Sequence, residues 1–142
     1  DALSLTTGKP VVCSSSLPPH PAHKANDGYA GDTDSYWATD VQSQNDPEPW
    51  WQVDLEQKTR VGRVVIVGYY GDRRSYGFTV KTSLDGVDWT TVADLRENEQ
   101  TTTPAGYTCL FEPRQARYIR VTQPRCSANS GRHLVEVMAF GE

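Results

Sequence analysis

The sequence predicts an all-β domain, a sandwich or closed barrel of about eight short strands, on three observations. The stretch Pro49-Trp50-Trp51-Gln52-Val53-Asp54-Leu55 sets Trp51, Val53 and Leu55 on one face and Gln52 and Asp54 on the other, the alternation of a half-buried strand. No segment longer than about ten residues carries the 3.6-residue period of an amphipathic helix. Short apolar or β-branched runs recur every 8 to 20 residues or so, parted by Gly, Pro, Asp and Ser clusters.

Taken in order, Asp1 to Pro10 is a lead-in and Val11-Val12-Cys13-Ser14 a short strand, followed by a proline-broken loop, Ser15 to Ala22, that holds His20. Lys24-Ala25-Asn26-Asp27-Gly28 makes a turn, and Tyr29 to Asp34 is a Gly/Asp-rich excursion before Ser35-Tyr36-Trp37-Ala38-Thr39. Asp40 to Glu48 is a second polar loop. The Trp-Trp strand follows, with both tryptophans expected in the core because a large aromatic is seldom left bare. Arg63-Val64-Val65-Ile66-Val67 is a separate, buried strand. Gly68 to Tyr76 is polar and aromatic at once, a loop composition that suits contact with a partner. Gly77 to Ser83 alternates cleanly, Asp85-Gly86 is a hairpin-type turn, and Trp89 leads the strand Thr90-Thr91-Val92. Tyr107 to Phe111, Tyr118 to Thr122 and Leu134 to Phe140 supply three more strands, with Gln123 to His133 a long loop between the last two.

The 142 residues fit one domain, with enough chain to bury a core unaided. Net charge is −4, and the 14 basic residues are scattered apart from Arg73-Arg74, which argues against nucleic acid as a partner. The longest apolar run, around Val64 to Val67, is far short of the roughly 20 residues a membrane-spanning helix needs. A soluble, secreted or extracellular domain is expected, with any signal peptide removed or outside this stretch. The three cysteines, Cys13, Cys109 and Cys126, allow one disulfide at most and form no zinc-like spacing. No nucleophile motif, zinc-protease motif or phosphate-cradling glycine loop is present, which favours a binding module over an enzyme.

Seven signatures in order carry a family resemblance: Gly8-Lys9-Pro10-Val11 with Ser14-Ser15-Ser16, Ala25-Asn26-Asp27-Gly28, Trp37, Trp50 to Leu55, Ser83 to Trp89, Ala116 to Val121, and Glu136-Val137. Together they resemble the discoidin or coagulation factor 5/8 C-type superfamily, nearest to the family 32 carbohydrate-binding modules and the F-type lectins. The resemblance implies an eight-stranded antiparallel jelly-roll with ligand loops at one end, and non-catalytic carbohydrate binding as a lectin or as an accessory module of a glycoside-active enzyme. The alternative it leaves open is a discoidin-type adhesion domain for protein or phospholipid. Membrane insertion is not expected, since Leu17 is the lone aliphatic candidate at a loop tip.

The resemblance also implies a structural calcium ion. Asp27 and Glu136 would supply charge, Asp32 and Ser35 further oxygens, and Lys24 and Val135 their carbonyls, a donor set suited to calcium. The sugar site carries over less directly: the histidine that F-type lectins present after the position of Trp37 is Ala38 here, and of their arginine pattern only Arg74 is matched. The loop itself offers what sugar recognition needs, namely aromatic faces, planar donors and carboxylate acceptors. Candidate ligand contacts are Tyr69, Tyr70, Asp72, Arg73, Arg74 and Tyr76, joined by Tyr36, Asp40, His20 and His23, and by Arg132 and His133 from the last loop. The glycan would be of galactose, fucose or acidic type, and oligomers or a parent enzyme would add avidity.

Overall fold

The Trp-Trp stretch opens a strand that runs far beyond it. In a computed structural model, which describes residues 4–31, 33–39, 49–127 and 132–141, β3 extends from Trp50 to Val67 and takes in both the Trp50–Leu55 and Arg63–Val67 runs. β6, Tyr107–Cys126, likewise joins two segments that the sequence separates. The polar residues between the runs read as loops, yet the ladder passes through them by register shifts between Asp54 and Thr59 and between Val61 and Arg63. A bulge lets a strand bend and keep pairing where a turn would end it. Glu56, at φ 73°, marks the first irregularity.

The other elements are β1 (Val11–Cys13), a 3-10 helix (Ala22–Asn26), β2 (Trp37–Ala38), β4 (Tyr76–Ser83), β5 (Trp89–Leu95), β7 (His133–Leu134) and β8 (Glu136–Phe140). All pairings are antiparallel. The two long strands build both layers of a sandwich. The first half of β3 pairs with β1 and with the end of β6, which continues to β4 and β5. Its second half pairs with β8 and the start of β6.

Alternation then fills the space between the layers. Trp51, Val53, Ile119, Val121, Phe78 and Val80 face inward from one layer, Val64, Ile66, Tyr107, Val137 and Ala139 from the other, and all belong to one buried cluster. Two buried indoles also fasten loops to this core: Trp51 Nε1 donates to the carbonyl of Ala22 at 2.9 Å and Trp37 Nε1 to that of Ser15 at 3.0 Å. A buried indole N–H needs such a partner.

Trp50 departs from the expectation of a core residue. It is half-buried on the outer face, where the Arg120 guanidinium lies 4.2 Å from its ring centre. Period two dictates this, because adjacent residues of one strand cannot face the same layer. The hairpin at Asp85-Gly86 forms as its residues predict, with Ser83 Oγ accepting the Gly86 N–H and Asp85 Oδ1 accepting those of Val87 and Asp88. Cys13, Cys109 and Cys126 are all unpaired, so the one disulfide that the sequence allows does not form.

Candidate functional site

At one end of the sandwich the segment entering β4 makes a walled pocket of about 420 Å³, lined by Tyr36, Tyr69, Tyr70, Gly71, Asp72, Arg74 and His133. The loop owes its path to two left-handed residues, Gly71 at φ 108° and Arg73 at φ 66°. The backbone around them is pinned by Thr102 N–H to the Arg74 carbonyl (2.9 Å) and by Ser75 N–H to Ser127 Oγ (2.8 Å). Gly68 permits the close approach of Tyr76: a Cβ there would stand 2.5 Å from the ring.

Arg74 anchors the pocket. Its Nε donates to Asp72 Oδ1 at 2.9 Å, its Nη2 donates to Oδ2, and the guanidinium lies 4.8 Å from the centre of the Tyr69 ring. A bidentate carboxylate pair of this kind fixes the plane of the guanidinium. The hydrogen bonds from Arg74 hold the Asp72 carboxyl below the usual carboxylate range and, in return, raise the pKa of Arg74.

His133, from β7, is the centre of the aromatic wall. Tyr36 stands edge-on to it with ring centres 5.7 Å apart, and Tyr36 is itself stacked on His20 at 4.0 Å. Burial, reinforced by the positive charge of Arg74, lowers the His133 pKa to about 4, so the ring is neutral at pH 7. Nδ1 lies 2.8 Å from the Tyr76 hydroxyl and 3.4 Å from Arg74 Nη1. An arginine nitrogen can only donate, so Nδ1 is the acceptor and Nε2–H is the donor the ring has left. The pocket thus combines three tyrosine faces, one carboxylate, one guanidinium and a neutral imidazole, with charges that cancel.

The structure brings Tyr36, Tyr69, Tyr70, Asp72 and Arg74 together as lining residues and places His20 behind Tyr36. Tyr76 does not line the cavity. It is fully buried, because it opens the inward-facing β4 ladder, and it backs the site through its contacts with His133 and Arg74. Arg73 is exposed and turned off the lining by its left-handed backbone, and His23 is exposed on the 3-10 helix. Asp40 lies outside the described residues. Arg132 is spent on backbone, its Nε donating to the carbonyl of Gln123 at 2.6 Å. Gly71 was the lining residue without a side-chain signal.

A second feature sits beside the pocket. Glu136, at the start of β8, is 1% exposed, and its Oε2 accepts the Gly28 N–H at 2.9 Å. Its Oε1 is buried with no hydrogen-bond partner among the described residues. Burial, and after it the nearby Asp27 carboxylate, raises the Glu136 pKa to about 8. Asp27 accepts from Ser35 Oγ at 2.6 Å and from the Tyr29 N–H at 3.0 Å. Lys24 belongs to the adjoining 3-10 helix, and the buried Val135 precedes Glu136. Among the described residues no third carboxylate, histidine or cysteine joins this pair, and Asp32 lies outside them. Two neighbouring carboxylates, one with a bare buried oxygen, fit a bound cation, which would supply the missing partner. Tyr70 Oη donates to the Ala30 carbonyl at 3.3 Å and so ties the pocket loop to this segment.

An antiparallel β-sandwich with its cavity among the loops at one end defines a class of ligand-binding modules. The chain belongs to the F5/8 type C domain family, whose model matches residues 10–137. It is similar to chitosan-binding module 1 of a chitosanase/glucanase from Paenibacillus sp. IK-5, at 25% identity and a TM-score of 0.78, over 99% of this chain and 100% of that one. It is also similar to the CBM32 of AlyQ solved with 4,5-unsaturated mannuronic acid, at 25% identity and a TM-score of 0.77, over 94% and 95% of the two chains. A family 89 glycoside hydrolase from Clostridium perfringens shares the fold at 22% identity and a TM-score of 0.82, with 99% of this chain covering 15% of that enzyme. No curated protein matches the chain at a significant level.

Proposed function

We infer that this domain is a non-catalytic carbohydrate-binding module that holds a glycan in the Tyr36–Tyr69–Arg74–His133 pocket. The observation that carries this reading is the pocket itself: aromatic faces at right angles, with a fixed guanidinium–carboxylate pair between them. A tyrosine face packs the C–H side of a sugar ring, while Asp72, held in place by Arg74, and the neutral His133 serve hydroxyls. Cancelling charges favour a neutral sugar end over an acidic one here. Similar modules bear names that refer to chitosan, pectin and 4,5-unsaturated mannuronic acid, which supports the ligand class and leaves the sugar to be identified.

Calcium belongs to the same reading. Asp27 and Glu136 would hold it with Ser35 and backbone carbonyls, and the ion would tie the first loop to β8 by neutralising their charges. A secreted setting and a parent glycoside-active enzyme, or oligomers, would suit a shallow site whose affinity is low until copies are linked. A glycan array tests the assignment: carbohydrate signal is expected. A blank array from folded protein, with sedimentation on liposomes, would replace it with a lipid-binding role.

A further inference from the structure

The outer face of the β1–β3–β6–β4–β5 layer is built unlike a solvated sheet surface. Arg120 of β6 sits between two indoles, 4.2 Å from the Trp50 ring centre and 4.6 Å from that of Trp89. Its Nε and Nη2 both donate to Gln52 Oε1, at 2.9 and 2.8 Å, so Nη1 retains its donors. Lys81 of β4 is directly opposite Arg120 in the antiparallel register, on the same face. Among the described residues neither cation has a carboxylate within ion-pair distance; the acids bordering this face are engaged elsewhere, Asp54 by Arg117 and Asp94 by Arg96. Like charges facing each other across two strands destabilise a sheet unless an anion joins them. Burial pulls the pKa of Arg120 down with no carboxylate to offset it.

The surface continues past Gln52 into a shallow, mainly apolar groove of about 190 Å³ bounded by Pro10, Val12, Asp54 and Tyr118. Five adjacent strands give the face a width of about 19 Å, at ~4.8 Å per step, enough for several sugar rings in a row.

We propose that this face is a second binding surface, distinct from the loop pocket, for an anionic polysaccharide segment whose acid groups bridge Arg120 and Lys81 while its rings lie along Trp50 and Trp89. The aromatic residues supply stacking and the two cations supply selection for acid over neutral chains. The loop pocket would then take a chain end and the sheet face a chain interior. The surface stands whether or not the pocket binds sugar.

Polygalacturonate, dextran sulfate and uncharged dextran, each titrated while tryptophan fluorescence is read, test it. Wild-type protein should respond saturably to at least one polyanion and not to dextran, and the response should weaken with salt. Arg120→Gln and Lys81→Gln should each raise the half-saturating polyanion concentration fivefold or more, and Tyr69→Ala should leave it unchanged. Lys81→Gln keeps the test sound if loss of Arg120 disturbs the sheet, since melting temperature reports folding. Response to dextran sulfate alone supports the surface with sulfate as the anion, and response to polygalacturonate alone supports it with carboxylate. No polyanion response, an undiminished wild-type response in both charge variants, or a loss that follows Tyr69→Ala would overturn it.

Discussion

The Tyr76 hydroxyl lies 2.8 Å from Nδ1 of His133, which joins the buried end of β4 to the exposed wall of the pocket. Tyr76→Phe removes this contact and leaves Arg74 facing the same nitrogen. We expect a loss of about 1 kcal/mol in stability, the worth of one net hydrogen bond. Chemical denaturation measures it, and an unchanged midpoint would show that the contact contributes nothing.

His133 is neutral because burial and Arg74 oppose its charge, and its pKa of about 4 lies below the ordinary 6.5. Glycan affinity should therefore stay flat from pH 8 to 5, where an exposed histidine would already have charged. An affinity that fell by half near pH 6.5 would contradict the assigned state. Between pH 6.5 and 4 the unfolded chain binds the proton first, so the contribution of His133 to stability should decline as pH falls through that window.

Glu136 has the opposite sign. Its folded pKa of about 8 exceeds the ordinary 4.5, so the metal-free protein holds a proton that the unfolded chain releases. The contribution of Glu136 to stability should fall as pH rises from 4.5 through 8. Above pH 7.5 His133 is neutral in both the folded and the unfolded chain, and melting temperature between pH 7.5 and 9 isolates the effect, on the order of 3 °C. Millimolar calcium should abolish the fall and raise the melting temperature, and Glu136→Gln should remove both responses. A metal-free protein equally stable at both pH values would retire the account of this carboxylate.

Gly68→Ala would bring a Cβ to 2.5 Å from the Tyr76 ring, which is held inside the core and cannot swing aside. Overpacking of this kind costs about 1–3 kcal/mol. Because Tyr76 backs His133, glycan affinity should fall with it. Titration calorimetry beside a thermal melt would check both, and a variant as stable as wild type would show that the ring has room to shift.

Much of this was legible in the residues. Trp51, Val53 and Leu55 gave the face they bury, and Asp85-Gly86 the turn, because period two and turn chemistry are local. The continuity of β3 and β6 was not, since the ladder shifts register and resumes at Thr59 beyond polar residues such as Glu56 and Gln57 that read as loop. The Tyr69–Arg74 loop was visible as an aromatic and charged cluster. Its partition was not: Tyr76 is two residues past Arg74, and only the start of β4 decides that it faces the core. Trp50 and Arg120 are 70 positions apart in sequence, and the register of β3 on β6 is what brings them together. The nearness of Glu136 to Asp27 was implied by the family resemblance alone, since nothing local in Glu136-Val137 marks the glutamate as buried, and its hydrogen bond from the Gly28 N–H was not foreseen.

The central claim, that the loop pocket holds a glycan, is tested most directly by calorimetric titration of an array-selected sugar into wild-type, Arg74→Ala and Tyr69→Ala proteins of matched melting temperature. Saturable binding in the wild type and a loss of tenfold or more in both variants is the predicted result. Equal affinity in all three would contradict the claim and move the sugar site elsewhere on the domain.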